Sequence, residues 1–278
     1  MLIFKTINET REFLCSQKGK SLGFVPTMGA LHQGHLDLVR KARQENELVA
    51  VSIFVNPIQF NNPEDLEKYP RMPELDANML RSVGCDVLFM PDVSEMYPQP
   101  ESTVYDFGPI EKVMEGAARP GHFNGVGIVV RKLFEIIEPQ KAYFGEKDFQ
   151  QLAVIRELVR KLSLPVQIVG CATVREPDGL AMSSRNMRLT DNERAVAPKI
   201  YQALQTYARH KETLTPSSMK NSIVKELHNE PLFRIDYIEI ADDTYLQPVS
   251  RWADASGALV FAAVFLGNVR LIDNVRIF

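Results

Sequence analysis

Cysteine is scarce in this chain of 278 residues. Only three are present, Cys15, Cys85 and Cys171, and no two of them form a Cys-x-x-Cys pair. An odd number of widely spaced cysteines argues against a disulfide framework and against a thiolate metal cluster. This cysteine usage is typical of a reducing compartment, so we expect a cytoplasmic protein.

Long apolar runs are also absent. No stretch approaches the roughly 18 residues that a membrane span needs, and the first residues do not resemble a secretion signal. Nor is positive charge in excess, because 35 acidic residues against 32 basic ones give a net charge of −3. Nucleic-acid-binding domains normally carry a basic face. We therefore expect small-molecule substrates and neither a nucleic acid nor a membrane as partner.

Three common site motifs are missing. The chain has no Gly-x-Gly-x-x-Gly after its first predicted strand, no Gly-x-x-x-x-Gly-Lys-Ser/Thr and no His-Glu-x-x-His. These absences disfavour a dinucleotide-dependent dehydrogenase, a P-loop nucleoside triphosphatase and a zinc peptidase.

What is present in the first 170 residues is an alternation of short apolar runs with longer amphipathic ones. That alternation predicts a doubly wound α/β fold, in which a parallel sheet is covered by crossover helices. The run at 48–55 is apolar at almost every position, as expected for a central strand buried on both faces. Further strands are predicted at 21–26, 86–90, 142–144 and 166–169, and helices at 35–46 and 150–162.

After residue 174 the pattern becomes more polar and irregular. Surface helices are predicted at 191–210 and 217–229, and strands at 234–240, 258–265 and 270–272. We therefore divide the chain into a larger domain of residues 1–174 and a smaller α+β domain of residues 175–278.

Unusual polar residues follow the predicted strands of the larger domain, at 27–35, 56–60 and 145–148. Ligands of open parallel sheets bind outside the carboxyl ends of the strands. We therefore expect these segments to meet at one crevice.

The first of these segments contains two of the five histidines, His32 and His35, at the start of a predicted helix. Residues three apart share a helix face, and a helix N-terminus offers free amides to an anion. Gly29 and Gly34 would let a ligand approach the backbone. The pattern predicts a phosphate site, although a plain surface pair of histidines remains an alternative. A zinc site is less favoured because no third ligand stands at a suitable spacing.

The His-x-Gly-His pattern resembles the signature of the nucleotidylyltransferase superfamily. Longer segments resemble the pantoate–β-alanine ligase (pantothenate synthetase) family, in matching order and over essentially the whole chain. They are Val25-Pro-Thr-Met-Gly-Ala-Leu-His-x-Gly-His35, Ser52-Ile-Phe-Val-Asn-Pro-x-Gln-Phe60, Phe144-Gly-Glu-Lys-Asp-Phe-Gln-Gln-Leu152 and Asp178-Gly-Leu-Ala-Met-Ser-Ser-Arg-Asn186, with Tyr69-Pro-Arg71, Arg119-Pro-Gly-His-Phe123 and Leu271-Ile-Asp-Asn274.

The resemblance implies a Rossmann-like nucleotidylyltransferase domain with a small C-terminal lid. It implies an AMP-forming ligase that joins pantoate to β-alanine through a pantoyl-adenylate, with ATP as substrate, Mg²⁺ carried on the ATP, no metal bound by the protein alone, and a homodimeric assembly.

The resemblance also implies roles for particular residues. His35, His32, Lys147 and Arg185 would be catalytic, Gln59 and Gln151 would bind pantoate, and Gln59 would also contact β-alanine. The implied ATP site comprises Met28, Gly29, Ala30, Leu31, His32, Gln33, Gly34, His35, Gly145, Glu146, Lys147, Asp148, Val174, Met182, Ser183, Ser184 and Arg185.

The same residues have simpler interpretations when taken singly. Gln151 fits the solvated face of an amphipathic helix, Lys147 and Asp148 fit a surface turn, and Ser183 to Arg185 fit a helix cap with a solvated arginine. Two other functions also stay open: another His-x-Gly-His nucleotidylyltransferase acting on a different small acceptor, and a nucleotide sensor without turnover. Fold alone does not decide among them.

Overall fold

The structure is a computed structural model that describes residues 1–278. Nine strands are present. They are β1 (Leu2–Phe4), β2 (Leu22–Thr27), β3 (Leu48–Ile53), β4 (Val87–Phe89), β5 (Lys141–Gly145), β6 (Gln167–Cys171), β7 (Phe233–Asp242), β8 (Ala258–Leu266) and β9 (Val269–Arg276).

Eleven helices accompany the strands. They are α1 (Ile7–Ser16), α2 (Gln33–Glu45), α3 (Pro63–Glu67), α4 (Pro73–Ser82), α5 (Val93–Met96), α6 (Met114–Ala118), α7 (His122–Ile137), α8 (Phe149–Leu162), α9 (Asp191–Val196), α10 (Lys199–Ala208) and α11 (Pro216–His228). None of them combines the length and the apolar character needed to cross a bilayer.

Six strands form a parallel sheet in the order β1-β4-β3-β2-β5-β6. Every residue of β3 is buried, as its continuous apolar run predicts. The chain moves outward from β2 through β3 to β4 on one side and through β5 to β6 on the other. The predicted doubly wound fold is confirmed, and its order reverses between β2 and β5.

The remaining strands form an antiparallel sheet in the order β7-β8-β9. One hydrophobic core joins this sheet to α10 and α11, through residues such as Leu204, Ile223 and Val260, all fully buried. The single helix predicted at 191–210 is wrong, because α9 ends at Val196 and α10 begins at Lys199. Pro198 lies at this break, where its ring and its missing N–H interrupt a helix.

Two compact units are present in the chain. One comprises residues 1–107, 119–146 and 154–172, and the other comprises 108–118, 147–153 and 173–278. The second unit therefore includes two stretches that precede residue 175 in the chain. The division at residue 174 stays a prediction.

Candidate active site

The point where the strand order reverses lies between β2 and β5, in the first unit. Ligands of open α/β sheets bind at such a reversal, beyond the carboxyl ends of the strands. Thr27 at the end of β2 pairs with Ile53 at the end of β3, and β5 ends at Gly145. The segments predicted to carry chemistry therefore leave the sheet from one edge.

The loop after β2 is held by a buried carboxylate. Gly29 and Ala30 have φ values of 81° and 50°, so the chain turns through the left-handed region. The amides of Ala30 and Leu31 then donate to Asp76 on α4, at 2.9 Å and 2.8 Å. A Cβ on Gly29 would lie 3.0 Å from the same carboxylate.

The start of α2 was expected to offer free amides, and this expectation is wrong for Gly34, whose amide donates to Nδ1 of His32. Besides the two amides held by Asp76, the amide of Gly29 donates to the Thr27 hydroxyl. The missing Cβ of Gly29 makes room for Asp76 and for Ile53. A phosphate bound here would meet mainly side-chain donors.

Those donors are the two histidines, which begin α2 with a reciprocal cap. Nδ1 of His32 accepts from the amide of Gly34 at 3.2 Å, and Nδ1 of His35 accepts from the amide of His32 at 3.3 Å. The ring centroids are 4.1 Å apart. Because each Nδ1 acts as an acceptor, we assign the ring proton of the neutral form to Nε2. Each ring thus carries its proton on the nitrogen that faces away from its cap.

The remaining members of this segment differ in exposure. Ala30 and Leu31 are buried, at 1% and 6% exposure, and Leu31 belongs to the core beneath α2. Gln33 is exposed and donates to Asp37 at 2.9 Å. Ala30 and Leu31 therefore shape the loop, and their side chains are not accessible to a ligand.

Gln59 lies in a 3₁₀ turn directly after β3, and its side chain is buried. Its Nε2 donates to Sδ of Met28 at 2.9 Å, and its Oε1 accepts from Asn56 at 3.2 Å. The structure thus brings Met28 and Gln59, which the sequence assigns to different ligands, into contact. A pair of this kind fits a boundary between two substrates.

The turn that carries Gln59 is supported by α7. His122, itself buried, is 2.8 Å from the carbonyl of Gln59 through Nδ1. A Cβ on Gly125 would lie 2.7 Å from the carbonyl of Ile58, so only glycine permits this approach. The helix start therefore fixes the backbone beneath Gln59.

Asn56 is the other support of this turn. Its Nδ2 donates to the carbonyl of Gly125 at 3.0 Å, and its Oδ1 accepts from the hydroxyl of Tyr97 at 2.9 Å. Burial first, and the nearby Glu101 second, raise the pKa of Tyr97. The phenol therefore keeps its proton and remains a donor to Asn56.

Lys147 lies in the second unit. The carbonyl of Lys147 accepts from Asn274 at 2.9 Å, which ties it to β9. Its ammonium is 3.7 Å from the carboxylate of Asp148, and the side chain is 15% exposed against 48% for Asp148. Lys147 thus presents a largely enclosed positive charge, with Asp148 placed to orient it.

Arg185 and Ser183 line a shallow depression together with Lys147 and Arg270. Ser183 Oγ accepts from the amide of Arg185 at 3.2 Å, so the predicted helix-cap interpretation also describes this residue. Buried Oδ1 of Asn186, which lines the same depression, has no donor within the protein. The depression thus offers an unmatched acceptor beside several cationic side chains.

Arg270 is held by two carboxylates. It donates to both oxygens of Glu115, at 2.7 Å and 2.8 Å, and to Asp236 at 2.8 Å. Burial opposes its charge, but the hydrogen bonds to Glu115 raise the pKa of Arg270 above its ordinary value. This ion pair anchors residues 108–118 to β9 within the second unit.

The other predicted site residues are placed as follows. Val174 accepts from the amide of Met182 at 3.0 Å, which brings these two together. Ser184 begins the 3₁₀ turn of Ser184–Arg188. Gly145 ends β5 and Glu146 starts the next turn, both in the first unit. Gln151 is half-buried in the first turn of α8, in a different unit from Gln59.

Sequence reasoning missed three groups that support the site: Asp76, His122 and Gln150. Buried Gln150 donates to the carbonyls of Ile110 and Val113 at 2.7 Å and 2.9 Å. His122 lies within a motif that carries the resemblance, so its position was signalled but its task was not. Nothing in the spacing separates Asp76 from an ordinary acidic residue in the first turn of a helix.

No group of three histidine, cysteine, aspartate or glutamate side chains in the structure is arranged to hold a metal ion.

Comparisons with known proteins agree with these features. A sequence model of the family described as pantoate-beta-alanine ligase matches residues 2–276. The pantothenate synthetase of Porphyromonas gingivalis is 48% identical over 278 residues, covering 99% of each chain. That of Cytophaga hutchinsonii is 47% identical over 281 residues, covering 100% of this chain and 99% of its own.

Solved structures are similar over the whole chain. The crystal structure of pantothenate synthetase from Thermus thermophilus has a TM-score of 0.94 at 44% identity, with both chains fully covered. Pantoate-beta-alanine ligase from Francisella tularensis, complexed with beta-gamma ATP and beta-alanine, has a TM-score of 0.83 at 38% identity, covering 100% of this chain and 98% of that one.

The parallel sheet reverses its strand order between β2 and β5, and the segments that carry the candidate site residues follow its strand ends. The protein is therefore a doubly wound α/β enzyme with a small antiparallel second sheet. More specifically, the chain belongs to the pantoate–β-alanine ligase family.

Proposed function

We propose that this chain condenses pantoate with β-alanine to form pantothenate, converting ATP to AMP and pyrophosphate through a pantoyl-adenylate. The observation that carries the proposal is the reciprocally capped histidine pair, in a segment whose Met28 contacts buried Gln59, within a chain of this family. The relative complexed with an ATP analogue and β-alanine supports these as substrates.

In the first step a carboxylate oxygen of pantoate attacks the α-phosphorus of ATP. The bond from that phosphorus to the bridging oxygen breaks, and pyrophosphate leaves. Such a displacement depends on positioning and charge neutralisation. The Nε2–H groups of His32 and His35 would donate to phosphate oxygens, and Lys147, Ser183, Ser184 and Arg185 would receive the departing pyrophosphate.

The nucleotide would also contact the other predicted positions. The loop from Met28 to His35 would form one wall, Gly145 to Asp148 a second, and Val174 and Met182 would flank the adenine or ribose. Asn186, whose buried Oδ1 has no donor, would accept from a nucleotide N–H or hydroxyl.

In the second step the amine of β-alanine attacks the acyl carbon of the adenylate. The amide C–N bond forms, the amine loses a proton, and AMP leaves with the electrons of the broken C–O bond. Gln59 and Gln151 would hold the pantoyl group, because each amide offers both a donor and an acceptor to hydroxyl and carboxylate groups. Gln59 would also contact β-alanine.

Three further features belong to this proposal. Mg²⁺ would arrive with ATP and shield its phosphates. Residues 175–278 would act as a lid that excludes water from the adenylate, since an acyl-adenylate is prone to hydrolysis and lids commonly protect such intermediates. The assembly would be a cytoplasmic homodimer, as the resemblance implies, and the three free cysteines are compatible with a reducing compartment.

The test is a pair of assays on the purified chain. Exchange of labelled pyrophosphate into ATP, with pantoate and without β-alanine, isolates adenylate formation. Release of AMP then requires both substrates. We expect exchange only with pantoate, and AMP in proportion to pantothenate only when β-alanine is added.

Other outcomes separate the alternatives. Exchange that ignores pantoate but responds to another phosphorylated or alcohol acceptor would favour a different nucleotidylyltransferase. Tight ATP binding with neither exchange nor AMP release would favour a nucleotide sensor. Heat-denatured protein and a His35→Asn variant serve as matched controls.

A further inference from the structure

Asp76 is a buried carboxylate that the reaction scheme above does not use. Its residue is 1% exposed, and both carboxylate oxygens are occupied, Oδ2 by the amide of Ala30 and Oδ1 by that of Leu31. These partners are backbone amides rather than a cation. A buried carboxylate without a cation is costly unless its hydrogen bonds are satisfied, so this placement calls for an explanation.

The two amides that Asp76 receives stand directly before the first catalytic histidine. Ala30 adopts φ 50°, a conformation that an L-residue rarely takes. Because the carboxylate bridges Ala30 and Leu31, it stabilises the left-handed turn from both sides. The next residue is His32, whose amide and ring then form the reciprocal cap with His35.

The position of Asp76 on α4 is equally constrained. Its own amide donates to the carbonyl of Met72 at 2.9 Å, so its backbone is part of the first helical turn. Oδ2 lies 3.0 Å from the place where a Cβ of Gly29 would be. A side chain at position 29 would therefore crowd the carboxylate, and glycine leaves the room that Asp76 occupies.

We propose that Asp76 is the positioning residue of the catalytic histidine pair, which sets the direction of both Nε2–H donors by clamping the turn before them. The inference rests on the function proposed above. It assigns Asp76 an effect on adenylate formation, without contact with either substrate.

The test is a double-mutant cycle. Asp76→Asn keeps the size of the side chain but replaces one acceptor with an NH₂ donor, so one buried amide loses its partner. A displacement of about 1 Å at reacting groups can cost on the order of 10²-fold in rate. We expect pantoate-dependent pyrophosphate exchange to fall by that order at saturating substrates, with the KM for pantoate unchanged.

The second arm of the cycle introduces Asp76→Asn into a variant that lacks both imidazole rings. In a His32→Asn/His35→Asn background, the asparagines retain an acceptor for the helix cap but supply no Nε2–H. There, Asp76→Asn should lower the residual rate of pantoate-dependent pyrophosphate exchange by about twofold or less, which is the scatter expected for independent sites. Equal losses of rate in both backgrounds would overturn the proposal, because a general structural effect of Asp76→Asn does not depend on the histidine rings.

Two controls complete the design. Glu74→Gln removes a negative charge from the same turn of α4, on an exposed side chain, and should leave exchange unchanged. If Asp76→Asn does not fold, Asp76→Glu, which keeps the charge and moves it by one methylene, takes its place in the cycle. An inactive wild type would refute the proposed function and this inference together, whereas an active wild type with additive losses refutes the inference alone.

Discussion

Replacing Gln59 with alanine tests the assignment of pantoate to the turn after β3. In the free protein the change is mild. Asn56 loses an acceptor at 3.2 Å but still donates to the carbonyl of Gly125 at 3.0 Å. We therefore expect the free energy of unfolding to fall by about 1 kcal/mol, the usual value of a single hydrogen bond.

The loss to the ligand is larger. Gln59 is 7% exposed, so a pantoate group hydrogen-bonded to it would be left unpaired away from water. That costs about 1–3 kcal/mol, which corresponds to roughly 5- to 150-fold in affinity. Poorer orientation of the attacking carboxylate should lower the rate as well.

Pyrophosphate exchange into ATP measures both effects when pantoate is varied without β-alanine. We expect half-maximal exchange in Gln59→Ala only at much higher pantoate, with the KM for ATP little changed. Gln151→Ala should behave similarly. Gln202→Ala deletes the same amide from an exposed position on α10 and should match the wild type.

The reasoning is refuted if exchange in Gln59→Ala saturates at the wild-type pantoate concentration. A rise in the KM for ATP of the same size as that for pantoate would also refute it, because the glutamine would then serve the nucleotide or the whole fold.

Three further substitutions test other parts of the structure. His35→Asn preserves an acceptor for the amide of His32 but removes the Nε2–H donor. We therefore expect kcat to fall about 10²–10³-fold with an unchanged melting temperature. Retention of a tenth of wild-type turnover would contradict the proposed role of His35 as a phosphate donor. Asp273→Asn breaks the paired hydrogen bonds from Arg175, at 2.6 Å and 2.9 Å, and should cost about 3 kcal/mol in urea unfolding, unlike the exposed Asp254→Asn. The pKa of Glu45 is lowered from 4.5 to about 2 by hydrogen bonds with Lys41, Lys141 and Tyr143. The stabilisation of the folded state by these bonds is present above the unfolded pKa and is lost as the pH falls through the folded pKa. Glu45→Gln should therefore cost about 1 kcal/mol at neutral pH, with a difference from wild type that shrinks between pH 4.5 and about 2, and a constant difference would contradict the cause.

The pattern of apolar residues was sufficient to predict the central sheet, because its strands are apolar at nearly every position. The buried run of β3 and the amphipathic helices α2 and α8 all lie within a few residues of their predicted bounds. Helix α7 was not predicted. It is apolar on most sides and contains Gly125 and Gly127, so it lacks the alternation that marks a surface helix.

His32, His35 and Gln59 could be proposed from the sequence because polar residues stand there just after predicted strands, and their roles stay predictions. The groups that hold these segments could not be predicted, because tertiary contacts decide them. The amides of Ala30 and Leu31, just before α2, donate to Asp76, which lies 45 residues from Leu31 in the chain. No local pattern reports a partner at that separation, and the same holds for His122 beneath Gln59.

Under the proposed function each imidazole at the start of α2 has two tasks, because Nδ1 accepts in the reciprocal cap and Nε2–H would donate to a phosphate. Serine, threonine or aspartate at position 32 would cap the helix as well, but none supplies a ring N–H on the opposite side. Lysine or arginine would donate to a phosphate but would leave the helix start without an acceptor. The two requirements together admit far fewer residue types than either alone. A substitution at position 32 or 35 must therefore preserve both the helix cap and the ring N–H. A residue that improves only one of these two properties does not replace histidine.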